Sequence, residues 1–120
     1  MSFQFLPIDT IKRIINIEIP GDFGACKKAD FEAEFKRLPV SEAKNLIQQI
    51  QNKTADEDKV LRENVVNIAG VSDANGNPLT FNQELLSQLA EQAYIRAPLL
   101  AGFMEVNYSL EKLREKNSNR

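Results

Sequence analysis

The chain is predicted to be α+β: an N-terminal antiparallel β-hairpin followed by a bundle of about four helices, the last one long. Three observations point there. Two runs between residues 11 and 37 alternate apolar and polar side chains with a period of two. From Ser41 onward the apolar period becomes helical. A polar joint, GVSDANGNPLTF (70–81), separates two of the helical stretches. A length of 120 residues fits a single domain. Its parts are the hairpin over about 11–37, the helical part over about 41–116 and a polar tail at 117–120.

Residues 1–7 read as a loosely attached apolar arm carrying Phe3, Phe5 and Leu6. In residues 11–19, Ile15, Ile17 and Ile19 point one way while Asn16 and Glu18 point the other, as in a half-buried strand. Pro20-Gly21-Asp22 breaks that run. In the second run Phe31, Ala33 and Phe35 oppose Glu32, Glu34 and Lys36. The two runs form a hairpin with one apolar and one charged face. Its connection, from Pro20 to about Ala29, is expected to be longer than a tight turn and mobile.

Ser41 is the expected N-cap of a helix whose apolar positions are Ala43, Leu46, Ile47 and Ile50. After a break at residues 52–55, Asp56 caps a second helix. Its stripe is Val60, Leu61, Val65 and Ile68, and it ends at Gly70, where glycine enters the left-handed conformation without a Cβ penalty. Asp73, Asn75, Gly76 and Asn77 supply turn chemistry, and Asn82 is a plausible cap for a short helix through Leu85, Leu86 and Leu89. The final helix is expected over about 97–116, with Pro98 in its first turn.

Composition excludes more than it assigns. With 42% hydrophobic and 27% charged residues the chain supports both a core and solubility. A formal charge of −2 gives no general attraction to nucleic acid or an anionic membrane. No apolar run of 18 residues is present, so no membrane-spanning helix is expected, and the N-terminus lacks the pattern of a secretion signal. The lone Cys26 cannot form an internal disulfide, which suits a reducing cytoplasm.

No reaction is encoded in a recognisable pattern. Without histidine and with one cysteine there is no credible metal site, and the Ser and Thr hydroxyls lack an imidazole partner. Asp56, Glu57 and Asp58 sit at a helix start, where acids complement the helix dipole. Asp73, Asn75 and Asn77 resemble the opening ligands of a calcium loop, but Gly76 precedes the third ligand and Pro78 and Leu79 replace later ones. Three basic pairs, Lys12-Arg13, Lys27-Lys28 and Lys36-Arg37, share their stretch with Glu18, Glu32 and Glu34, which reads as a solvated mixed-charge sheet face. The chain is therefore expected to be no enzyme and to take no cofactor.

The last helix carries the strongest hint of function. Leu99, Phe103, Val106, Leu110 and Leu113 make one stripe, and Leu100, Met104 and Tyr108 a second about 100° away. Together they exceed the arc a helix needs against one neighbour, which predicts coverage either by another polypeptide or by neighbouring helices of the same chain wrapped around both stripes. The first stripe has the more continuous spacing for internal packing. Leu100, Met104 and Tyr108 are therefore the expected partner-binding residues.

The run FEAEFKRLPVSEAKNLI (31–47) resembles the strand-to-helix passage of tail assembly chaperones from long-tailed bacteriophages and prophages. Two further stretches resemble the same family. One is Ile68-Ala69-Gly70-Val71 with Asp73-Ala74-Asn75-Gly76-Asn77-Pro78-Leu79 and Phe81. The other is Tyr94-Ile95-Arg96-Ala97-Pro98-Leu99 running into Phe103 and Tyr108. The likeness covers about residues 14–113 and rests on arrangement, with Asn75 and Pro98 departing from the commonest pattern.

The resemblance implies a non-enzymatic assembly factor of the host bacterial cytoplasm, missing from the mature virion. Such a factor would coat and solubilise the tape measure protein, help recruit tail tube protein and self-associate as a homo-oligomer. It also implies a frameshift-extended longer form, and Glu115-Lys116-Asn117 can be encoded by the slippery run GAA-AAA-AAC. Two other readings stand beside it: a structural tail or head–tail connector subunit, and a small nucleic-acid-binding regulator.

Overall fold

The computed structural model describes residues 2–107. Among them lie a three-stranded antiparallel sheet and four helices, the α+β arrangement expected from the patterning. Strand β1 (Thr10–Pro20) pairs along its whole length with β2 (Cys26–Lys36), and β3 (Val65–Ala69) adds to the far side of β2, giving the order β1-β2-β3. The helices are α1 (Val40–Gln51), α2 (Glu57–Asn64), α3 (Gln83–Ala90) and α4, described over Ala93–Asn107.

The alternation in β1 and β2 does what it predicts. Ile15, Ile17, Phe31, Ala33 and Phe35 are buried beneath the helices, while Lys12, Asn16, Glu18 and Lys36 stand in water on the opposite face. The connection is shorter than expected, spanning residues 21–25 only, with a single 3-10 turn at Asp22–Gly24. Residues 26–30 lack an apolar rhythm because most of that half of the hairpin has no core to face. They are strand because their register with β1 continues to Pro20↔Cys26.

The second predicted helix is two elements. Its first half is α2, capped as expected by Asp56, whose Oδ1 accepts the Lys59 N–H at 3.2 Å. Its second half is β3, which pairs with the edge of β2. Val65 and Ile68, three residues apart, both face the core because a bulge opposite Glu34 and Phe35 leaves Val66 as an extra residue. The bulge breaks the period of two and mimics the helical spacing i, i+3. The β-branched Val65, Val66 and Ile68 favour the strand once β2 offers partners. Gly70 adopts φ 85° as predicted, but it closes a strand instead of a helix.

Two helix starts also move. Helix α1 begins at Val40 with Pro39 as its cap and no side-chain hydrogen bond there, so Ser41 lies in the first turn. Its buried face is nonetheless the predicted one, Ala43, Ile47 and Ile50. Asn82 caps α3, its Oδ1 accepting the Leu85 N–H at 2.7 Å. Helix α4 starts at Ala93, four residues earlier than expected, which puts Pro98 inside it and leaves the Tyr94 carbonyl without a helical donor. The predicted continuation of this helix to Lys116 lies outside the described residues.

Helix α4 crosses the sheet at Gly102. A Cβ there would fall 2.7 Å from Ile15 Cδ1 and 3.2 Å from two atoms of the Phe35 ring. Beside this contact Phe35 and Phe103, both fully buried, pack with ring centroids 6.4 Å apart. Two polar clamps hold the helices in place. The buried Asn107 amide accepts the Leu38 N–H at 2.6 Å and donates to the Lys36 carbonyl at 2.8 Å, fixing the exit of β2 to α4. Arg96 donates from Nε to the Ala90 carbonyl at 2.7 Å and pairs with Glu57 and Asp58 at the start of α2. Burial pulls its pKa down, but the hydrogen bonds to Glu57 and Asp58 more than offset this and leave it raised. The charge-dependent stability Arg96 supplies is therefore complete below the ordinary arginine value and lost only in strong alkali.

Two substitutions check this architecture. Gly102→Ala is expected to lower unfolding stability by about 1 kcal/mol, as overpacking exceeds the helix-propensity gain. In an Ile15→Val background, which removes the clashing methyl, the same change should cost less, and chemical denaturation of the four-protein cycle measures the coupling. Arg96→Lys should lose about 1–2 kcal/mol, nearly as much as Arg96→Met, because an ammonium cannot reach α2 and α3 together.

Candidate interaction surface

Of the residues expected to meet a partner, the two that the structure describes, Leu100 and Met104, are not on a free surface. Leu100 is only 6% exposed and belongs to the core, and Met104 is half-buried against that core. Tyr108, with Leu110 and Leu113 of the first stripe, lies outside the described residues, as does Glu115-Lys116-Asn117. Helix α4 touches β1 and β2 on one side and α1, α2 and α3 on others, so its own chain wraps the described part of both stripes. Leu99, Phe103 and Val106 are buried along with Leu100. A helix surrounded on several sides can be apolar over most of its circumference without any outside partner. Over the described residues, then, the apolar surplus of the last helix is accounted for internally.

Exposed apolar side chains occur elsewhere. Phe3 is 80% exposed, and Phe5, Leu6 and Ile8 are exposed with it, on an arm without regular structure. The Phe3 and Phe5 rings touch each other edge-on, with centroids 6.4 Å apart. The arm leaves the body in line with β1, since Asp9 keeps the register of the hairpin by accepting the Arg37 N–H at 2.8 Å. The sequence already marks an apolar arm there; what it does not show is that no element among the described residues folds back to cover it. At the far end of the hairpin Phe23 is fully exposed with φ 58°. A left-handed phenylalanine costs roughly 1 kcal/mol or more, where glycine would cost nothing.

Between these ends a groove of about 710 Å³ opens beneath the hairpin. Ile17 and Ala29 bound it on the sheet side, Tyr94, Ala97 and Pro98 on α4, with Glu18, Lys28 and Asp30 at its rim. A smaller hollow of about 170 Å³ continues along β1 and α4 towards Arg13 and Glu105, which form an ion pair at its end. Both hollows border β1, whose outer edge carries no strand among the described residues.

Lys12 stands opposite Glu34 and Lys28 opposite Glu18 on the outer face, so one member of each of those basic pairs sits in a mixed-charge face, while Arg13 turns to α4 and pairs with Glu105. Asp73 spends its carboxylate on its own turn, Oδ1 accepting from the Asn75 and Asn77 amides at 2.9 and 3.0 Å. Cys26 is exposed on the distal hairpin. Among the described residues no group of three or more His, Cys, Asp or Glu could hold a metal ion, and no helix is long and apolar enough to cross a membrane. Comparison of the chain with protein-family models, curated proteins and solved structures finds no match.

Burial of Leu100 makes a sharp expectation. Leu100→Ser should destabilise the fold by about 2–4 kcal/mol, through lost packing and a buried hydroxyl. A thermal melt left unchanged by the substitution would return Leu100 to the list of surface residues.

Proposed function

We propose that this chain is a non-enzymatic protein–protein interaction module, acting as a tail assembly chaperone of a long-tailed bacteriophage or prophage. Its client is the tape measure protein, whose long apolar stretches it keeps soluble while tail tube protein is recruited. The observation that carries the reading is the set of exposed apolar side chains Phe3, Phe5, Leu6 and Ile8 on an arm held clear of a well-packed core. Apolar groups kept in water beside an independent core suit capture of another polypeptide. The resemblance of residues 31–47, 68–81 and 94–108 to such chaperones supplies the biological class. The contact surface therefore shifts from Leu100 and Met104 to the N-terminal arm.

The same arm would serve a structural tail or head–tail connector subunit, since subunits in assemblies are commonly tied by extended termini. Purified particles separate the two. A chaperone is missing from them, while a connector is present in fixed copy number.

Co-expression with a candidate tape measure protein tests the proposal. The client should move from the pellet to the soluble fraction and co-purify with this chain. Phe3→Ser/Phe5→Ser should abolish that rescue while leaving the circular dichroism and thermal melt unchanged. Failure of the wild-type chain to solubilise the client, or its recovery from finished particles, would overturn the chaperone reading.

A further inference from the structure

We infer that the groove between the β1–β2 hairpin and α4 is a docking site for the N-terminal arm of a second copy of this chain, which adds as a strand to the edge of β1 that is unpaired among the described residues. The argument starts from β1 itself. It is an edge strand of 11 residues, and its central run Ile14-Ile15-Asn16-Ile17 has no proline or bulge to discourage pairing. The two hollows extend along it from Arg13 to Glu18, six residues or roughly 20 Å of strand.

The arm fits that space in length and pattern. Residues 3–8 are also six, and in extended form they span the same roughly 20 Å. Phe3 and Phe5 fall on one side of such a strand, where their rings can enter the hollow floored by Ile17, Ala97 and Pro98. Alternate amides of a strand point to opposite edges. When the backbone of Gln4, Leu6 and Ile8 pairs with β1, the nitrogen of Pro7 faces water, and its missing N–H removes no ladder bond. The four apolar side chains expose roughly 400–500 Å² of apolar surface, at the upper end of what monomers leave in water.

The direction of the arm selects a second copy over the chain's own groove. Asp9 continues the β1 register through its bond from the Arg37 N–H, so the arm leaves pointing away from residues 13–18 of its own β1. Reaching its own groove would require a reversal at residues 8–10 and loss of that bond. A neighbouring molecule meets the arm without either change. The inference stands on the arm, the edge and the groove alone; because the same arm is proposed above to hold the client, a second copy and a client would compete for it.

Sedimentation equilibrium of the full chain and two variants tests it. Phe3→Ser/Phe5→Ser disables the arm, and Ala97→Glu, at an exposed position on α4, places a charge in the groove. The wild-type chain should self-associate below about 100 µM, and each variant alone should associate at least about tenfold more weakly while melting like wild type. Mixing the two variants should restore association, because one keeps a working groove and the other a working arm. A synthetic peptide of residues 2–9 should bind the arm variant and not Ala97→Glu. A wild-type chain that stays monomeric would overturn the inference, including the case in which the peptide binds only the arm variant, which would mark the groove as filled by its own arm. Oligomers that survive both substitutions would overturn it equally.

Discussion

The closeness of α4 to the sheet at Gly102 is the constraint on which the rest of the molecule depends. With no side chain at that position, the helix backbone settles directly against Ile15 and Phe35, and Phe103 slots in beside them. Everything else is arranged around that contact. Asn107 ties the helix to the end of β2 five residues later, and Arg96 ties it to α2 and α3 six residues earlier. The helix is thus fixed at three points, one apolar and two polar. Apolar contact sets the distance, while directional hydrogen bonds set the rotation of the helix about its axis.

That rotation explains where the sequence was readable and where it was not. The hairpin was legible because half-burial imprints a period of two on Ile15, Ile17, Phe31, Ala33 and Phe35. Asp56 and Asn82 were legible because a cap is a local matter between a side chain and an amide three residues on. Strand β3 was hidden, since one bulge placed Val65 and Ile68 at a helical spacing and only the vacant edge of β2 decides the outcome. The fate of Leu100 and Met104 was hidden for a similar reason. Counting apolar residues around α4 measures how much it can bury, and the number of neighbours that surround it is settled by tertiary packing.

The exposed apolar side chains lie elsewhere accordingly. Apolar character in the terminal helix serves the core, while the modest FQFLPI segment near the N-terminus stays in water. The outer face of the sheet carries mixed charge, with Lys12 across from Glu34 and Glu18 across from Lys28. A body of this kind can present a sticky extension without collapsing onto it. The division between inert body and adhesive arm suits an assembly factor, which has to hold a client and later release it.

The unequal lengths of the strands carry one more consequence. Strand β3 supports β2 only beside Glu32 to Phe35, so the distal hairpin, from Asp30 to the turn, is a two-stranded ribbon. Such a ribbon loosens by local opening, whereas the amides around Phe35 are released only when the whole domain comes apart. Slow solvent exchange should therefore fade steadily from Phe35 towards Cys26. The tip bearing Phe23 would then work as a compliant lever hinged on a rigid base.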